Sequence, residues 1–324
     1  MDVVLLMYDG CSGWGITGAH EILHIANQSY MYYNNQHKPL LNVTIASSKK
    51  TKTTSSTGIE IKAQEVISNI KKCDLIFIPG TTCQIDKIIR ENPEMIKWIK
   101  NQYQNGAKII TYCTGTFILA ATGLLEGKNA VTHWFQEEKF KCTYPDINLL
   151  SHKVLMHEDN LFLGGGGASY QNLLLYVIEK TLGKNVFLFT SKILLLDMEK
   201  ESQSAYSFFQ SQKQHNDKEI LLTQNFIETN FKLKHSLQNL SDIAGMSERS
   251  FLRRFKNATG NTPIQYIQRV KIEQSKKMLE EENKTFEEIS RELGYEDISS
   301  FRKLFKKITG ITPSKYKEKY CFIT

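Results

Sequence analysis

Two stretches of this chain, fifty positions apart, repeat each other, and that repeat limits the possible folds more than any other feature. Ser250-Phe251-Leu252-Arg253-Arg254-Phe255-Lys256-Asn257-Ala258-Thr259-Gly260-Asn261-Thr262-Pro263 is matched by Ser300-Phe301-Arg302-Lys303-Leu304-Phe305-Lys306-Lys307-Ile308-Thr309-Gly310-Ile311-Thr312-Pro313. The two phenylalanines, Thr-Gly, Thr-Pro and a following tyrosine (Tyr266, Tyr316) recur in register. Self-similarity at a fixed offset means one structural unit used twice.

Each copy has the parts of a helix-turn-helix. In the first, Leu240-Ser241-Asp242-Ile243-Ala244 forms a supporting helix, Gly245 supplies the turn and Ser247 caps the next helix. In the second, residues 286–293 support, Gly294 turns and Asp297 caps. Phe251 and Phe255, four apart, share the buried face, as do Phe301 and Phe305. The opposite faces then carry Arg249, Leu252, Arg253 and Lys256 in one helix, and Ser299, Arg302, Lys303 and Lys306 in the other. Both sets follow the i, i+3, i+4, i+7 spacing of a single stripe.

One charge run is ordinarily just a solvated helix face. Two basic stripes at matching places in a repeat, in a chain of net charge +7, point to an acidic polymer. Double-stranded DNA fits: arginine can grip guanine bidentately while lysine holds phosphate. A long helix over residues 263–280 joins the copies, and recognition helices about 34 Å apart would enter successive major-groove turns.

At 324 residues the chain exceeds one comfortable core, so two domains are expected. Before about residue 184 the pattern alternates. Residues 3–7, 43–46, 75–78 and 109–112 read as short buried strands, and 17–30, 93–103 and 169–181 as helices. That alternation predicts an α/β domain, flavodoxin-like, with a mainly parallel sheet and helices on both faces. Boundaries are expected at 1–202 for this domain, 203–216 for a linker and 217–324 for the all-α domain with two helix-turn-helix units. Residues 1–10 read as a first strand rather than a signal peptide.

Six scattered cysteines (Cys11, Cys73, Cys83, Cys113, Cys142, Cys321) without a CxxC pair argue against a zinc site or a disulfide framework and fit a reducing cytoplasm. No apolar run approaches the roughly 20 residues of a membrane span. The Gly164-Gly165-Gly166-Gly167 run lacks the spacing and the Lys-Ser/Thr of a phosphate loop. No cofactor and no metal are expected.

Lys108-Ile109-Ile110-Thr111-Tyr112-Cys113-Thr114-Gly115-Thr116-Phe117 reads as strand, sharp turn and helix, the layout of a nucleophile elbow. Cys113 at a helix N-terminus should have its thiolate favoured by the helix dipole. His133, in Ala130-Val131-Thr132-His133-Trp134, is its candidate partner.

The helical part, from residue 216 to 320, resembles the AraC/XylS family of regulators. Ala244-Gly245-Met246-Ser247, the two Thr-Gly-x-Thr-Pro runs and Leu293-Gly294-Tyr295 carry the resemblance. The first part resembles the ThiJ/PfpI superfamily (class I glutamine amidotransferase-like), in the branch fused to an AraC-type domain (GlxA-like regulators). Asp74-Leu75-Ile76-Phe77-Ile78-Pro79-Gly80, the Cys113 elbow, Gly123-Leu124-Leu125-Glu126-Gly127, Thr132-His133-Trp134 and the Ser202-Gln203-Ser204 run carry that one.

Active enzymes of the superfamily pair the cysteine with an early carboxylate, and here that place holds Gly15, within Trp14-Gly15-Ile16-Thr17-Gly18-Ala19. Peptidase-type members place a histidine directly after the cysteine, and here it is Thr114. General acid–base chemistry lacks a player. The expectation is therefore a sequence-specific, DNA-binding transcription regulator, cytoplasmic and not an enzyme. Its first domain would hold an unknown small-molecule effector in a non-catalytic pocket of Cys113, Thr114, His133, Trp14 and Gly80. The resemblance implies a homodimer, and RNA polymerase is a further candidate partner. A thiol-based redox regulator acting through Cys113 and a hydratase or amidase with an accessory domain stand as alternatives.

Overall fold

The computed structural model describes residues 1–197, 202–209, 211–282 and 284–320; Cys321 lies outside the described residues. The chain divides into two compact units, Met1–Gln203 and Ser204–Thr324.

The first unit runs β1 (Asp2–Met7), α1 (Gly13–Asn34), β2 (Asn42–Ser47), β3 (Lys52–Thr54), β4 (Glu60–Lys62), β5 (Glu65–Val66), β6 (Leu75–Ile78), α2 (Ile85–Glu91), α3 (Pro93–Gln104), β7 (Lys108–Tyr112) and α4 (Gly115–Ala121). It continues with β8 (Asn129–Ala130), α5 (Glu137–Thr143), β9 (Asn148–Leu149), β10 (Leu155–Glu158), β11 (Leu161–Gly164), α6 (Ser169–Leu182) and α7 (Lys184–Ile193). Seven strands form one sheet in the order β10-β11-β7-β6-β1-β2-β5. All its pairings are parallel except β10 with β11.

The four strands expected from the apolar runs are the adjacent β7, β6, β1 and β2. Strand side chains alternate between faces, yet β6 is buried at all four positions and β1 at five of six. Both faces must then be covered. Helices α1, α6 and α7 pack on one another, and α4 packs on α2 and α3. The hairpin β3–β4 and the two-residue strands were not foreseen, because two or three residues are too few to show a period.

The second unit begins with a short turn at Ser204–Tyr206 and is then helical: α8 (Lys218–Thr229), α9 (Leu237–Ile243), α10 (Glu248–Thr259), α11 (Pro263–Glu281), α12 (Phe286–Glu292), α13 (Ile298–Thr309) and α14 (Pro313–Tyr320). It has two cores, and α11 supplies both. Tyr266 and Val270 join Phe251 and Phe255 in one, while Ile272, Met278 and Leu279 join Phe301 and Phe305 in the other.

The repeat is visible in the packing. Phe255 meets Tyr266 at 5.4 Å and 85°, and Phe305 meets Tyr316 at 5.5 Å and 84°. The recurring Thr-Gly ends each recognition helix. Gly260 and Gly310 take φ of +68° and +80°, a left-handed cap that glycine adopts at low cost. The Thr259 and Thr309 hydroxyls donate 2.8 Å hydrogen bonds to the Phe255 and Phe305 carbonyls.

Within residues 203–216, expected as a linker, several of the described residues have partners. Gln203 is buried in the first unit, and the Phe209 ring lies 5.1 Å from Tyr266 in the second. The polar composition of this stretch reads as solvated chain, but its backbone groups find partners on α8 and α11. Among the described residues no helix is long and apolar enough to cross a membrane.

Candidate nucleic-acid interface and thiol elbow

Ser247 caps α10 by accepting from the Ser250 N–H, and Asp297 caps α13 by accepting from Ser299 and Ser300. Each cap follows a glycine of positive φ, Gly245 or Gly294. Caps and turns together fix where each recognition helix starts, hence which side chains share its outer face. Residues 251–260 and 301–310 have the same sequence of buried and exposed positions. Arg249, Leu252, Arg253 and Lys256 are all exposed on α10, as are Ser299, Arg302, Lys303 and Lys306 on α13.

The two stripes differ in how free they are. The side chains of Arg249, Arg253 and Lys256 have no hydrogen-bond or ion-pair partner among the described residues. Arg302 is paired with Glu287 of α12 and lies over the Phe286 ring. Arg254, one position off the stripe, is held by Asp217 and Glu219, and its guanidinium holds the Asp217 carboxyl below the usual range. Arg254 therefore fastens α10 to the start of α8. Neither pairing was readable from spacing, because all three acids lie at or in other helices.

In the first unit β7 ends at Tyr112, α4 begins at Gly115, and Cys113 makes the corner with φ +57°. That conformation costs a non-glycine residue about 1–3 kcal/mol, so surrounding bonds must enforce it. The Cys113 N–H donates to the carbonyls of Gly165 (2.7 Å) and Gly164 (3.1 Å). Its carbonyl accepts from the Thr132 hydroxyl at 2.7 Å. The Thr114 hydroxyl accepts from the Thr81 N–H (2.6 Å) and donates to the Thr81 carbonyl (2.7 Å). Gly80 backs the elbow: a Cβ there would sit 2.9 Å from the Cys113 Cβ, closer than real Cβ contacts.

Burial pushes the Cys113 thiol up, and the Thr114 and Gly167 N–H groups offset this only partly. A dipole-favoured thiolate was expected, and burial of the sulfur acts in the opposite direction. Helix α4 has only seven residues, which limits its end effect.

His133 lies against the same glycine loop, where a Cβ at Gly166 would fall 1.9 Å from its Cδ2. Its Nδ1 accepts from the Phe135 N–H at 3.0 Å, and burial pushes its pKa down. Among the described residues no hydrogen bond joins it to Cys113. The exposed Trp14 reaches the elbow indirectly, edge-on to Tyr170 at 5.2 Å, which in turn lies 5.3 Å from Tyr112. The structure thus brings Cys113, Thr114 and Gly80 together, sets His133 beside their supporting loop and leaves Trp14 one ring further out.

The role of Tyr112 was missed, and Gln203, quoted only as part of the resemblance, was given no role. The Tyr112 hydroxyl presses on α1 at Gly15, where the superfamily's acid would stand. The buried Gln203 carboxamide is hydrogen-bonded to Gly166, Trp134, Thr132, Ser151 and Lys153. A tyrosine preceding the elbow reads as one more strand residue, and the Ser202-Gln203-Ser204 run marks the resemblance without showing which groups its glutamine would meet.

The DJ-1/PfpI family matches residues 2–162, and a helix-turn-helix domain family matches residues 240–319. The HTH-type transcriptional regulator CdhR of Pseudomonas aeruginosa is 20% identical over 97% of this chain and 90% of its own length. Isonitrile hydratase of Pseudomonas putida is 27% identical over 45% of this chain and 60% of its own. A solved structure of a putative transcriptional regulator protein from Vibrio parahaemolyticus is 22% identical, with a TM-score of 0.53. It covers 60% of this chain and 98% of its own, and it shares the fold. With a DJ-1/PfpI domain first and a doubled helix-turn-helix second, the chain belongs to the AraC-type helix-turn-helix regulators that carry a DJ-1/PfpI domain.

Proposed function

We propose that this regulator reads DNA with α10 and α13 in successive major-groove turns, and that its first unit acts without turnover by taking a small molecule or partner at the Cys113 elbow. The carrying observation is the matched exposure of the two stripes, 249/252/253/256 and 299/302/303/306, on helices whose other faces are sealed in two cores. Helix α11, with its 19 residues, spans about 28 Å and spaces the two helices. Arg253 and Arg302 are the base-reading candidates, and the lysines hold phosphates.

At the elbow, burial pushes the Cys113 thiol up and the His133 imidazole down, both towards their uncharged forms, and residue 15 carries no carboxylate. An uncharged ligand suits such a site, since burying an unpaired charge there would be costly. The same upward push on the thiol speaks against the hydratase and redox readings, both of which need a ready thiolate.

The test is to recover genomic fragments bound by the purified protein. Affinity for the recovered duplex and for a scrambled one is then compared at one salt concentration. A specific regulator should prefer its site by about 10³ or more. Equal affinity for both duplexes would reduce the helical unit to a non-specific DNA binder. Turnover of isonitriles or amides that disappears in Cys113→Ser would overturn the non-catalytic reading.

A further inference from the structure

We propose that Gln203 is a coupling pin, a positioning residue that ties the glycine loop behind Cys113 to the chain entering the second unit. A change at the elbow is then passed to residues 204–209.

The Gln203 carboxamide is 5% exposed and fully engaged. Its Oε1 accepts from the N–H groups of Gly166 (2.8 Å) and Trp134 (3.3 Å). Its Nε2 faces three carbonyls, Lys153 (2.8 Å), Thr132 (2.9 Å) and Ser151 (3.1 Å). The loop is moulded to it: a Cβ at Gly165 would fall 2.4 Å from the Gln203 Cδ. That loop also holds the elbow, since Gly164 and Gly165 accept from the Cys113 N–H, and the Gly167 N–H faces the Cys113 sulfur. Anything that enlarges the sulfur's surroundings must move the residues that grip Gln203.

The next residue begins the second unit, and the chain there is held just as closely. The turn Ser204–Tyr206 packs on α13, the second recognition helix. The Ser207 carbonyl accepts from the Lys276 Nζ at 2.5 Å, and the Phe209 N–H donates to Glu273 at 3.1 Å. Lys276 and Glu273 pair at 2.9 Å with side chains 4% and 16% exposed. A buried pair of this kind is tolerated only while its remaining hydrogen bonds are made. Residues 204–209 are thus docked with the pair satisfied, and releasing them would expose it. Releasing Gln203 removes the anchor that precedes them by one residue.

The proposal rests on the elbow being the regulatory site, and its test needs no DNA, so its failure is separable from that of the DNA-binding reading. Hydrogen exchange is followed in the full chain before and after treatment with iodoacetamide. In the wild type, the adduct on Cys113 should raise exchange at residues 164–167 and also at 204–209, each by about tenfold, the equivalent of one net hydrogen bond. Cys113→Ser, which keeps the other thiols, should show neither change. Gln203→Ala should show the raised exchange at 204–209 without reagent and no further rise with it. Gln203→Asn, which keeps the carboxamide on a shorter arm, should lie between. A wild-type adduct that loosens 164–167 and leaves 204–209 untouched overturns the proposal, and this arm stands even if the variants fold poorly.

Discussion

The Tyr112 hydroxyl lies 2.1 Å from where a Cβ at Gly15 would be. Any side chain added at this glycine of α1 would therefore have to displace the tyrosine directly before the elbow cysteine. Gly18 stands in the same relation to Tyr170, again at 2.1 Å.

Gly15→Asp should therefore fail as a restoration of activity, although the sequence presents it as the simplest one. Even Gly15→Ala should cost about 1–3 kcal/mol through overpacking, read as a lower denaturation midpoint of the first unit. Combining it with Tyr112→Phe, which removes the clashing oxygen, should recover part of that loss. A Gly15→Ala protein as stable as the wild type would show that Tyr112 moves aside freely.

Cys113 should not be the first thiol alkylated. Cys83 and Cys142 are exposed, whereas Cys113 is half-buried with its thiol pushed up. Because its folded pKa is raised, its thiolate fraction near pH 8 is below that of an ordinary thiol, and its alkylation rate should still be climbing above pH 9. Peptide mapping after timed iodoacetamide pulses at several pH values checks the order. Preferential early labelling of Cys113 would restore the activated-thiol reading.

The two mid-stripe arginines should behave unequally. Arg253→Ala should cost about 1–3 kcal/mol on the specific duplex and much less on a scrambled one. Arg302 must first leave Glu287, an exposed pair worth about 0–1 kcal/mol, so its net loss should be smaller. Glu287→Gln should accordingly tighten binding to both duplexes. Affinities measured at one salt concentration decide this, and an Arg253→Ala loss equal on both duplexes would make Arg253 a phosphate contact.

A fragment of residues 204–324 should be more stable than one of residues 217–324. The shorter piece loses Phe209 from the Tyr266 ring and the Ser211 carbonyl from Gln224, and it leaves Lys276 without the Ser207 carbonyl. Circular dichroism melts of the two should differ by several degrees. Identical melting temperatures would return residues 204–216 to the role of a passive tether.

The doubled helix-turn-helix and its outward stripes were legible in the sequence because each part is local. Ser247 and Asp297 cap within one turn, Gly245 and Gly294 supply positive φ, and phenylalanines four apart choose the buried face. The central strands β1, β2, β6 and β7 were legible for the same reason, as short apolar runs closed by turn residues. Tertiary structure alone decided what depends on residues distant in the chain. It set Tyr112 against Gly15, 97 positions away, paired Arg302 with Glu287 on another helix, and buried Gln203 among residues 132–166. Pattern and propensity act over a few residues, whereas burial, with the thiol shift and carboxamide satisfaction that follow from it, is a property of the packed whole.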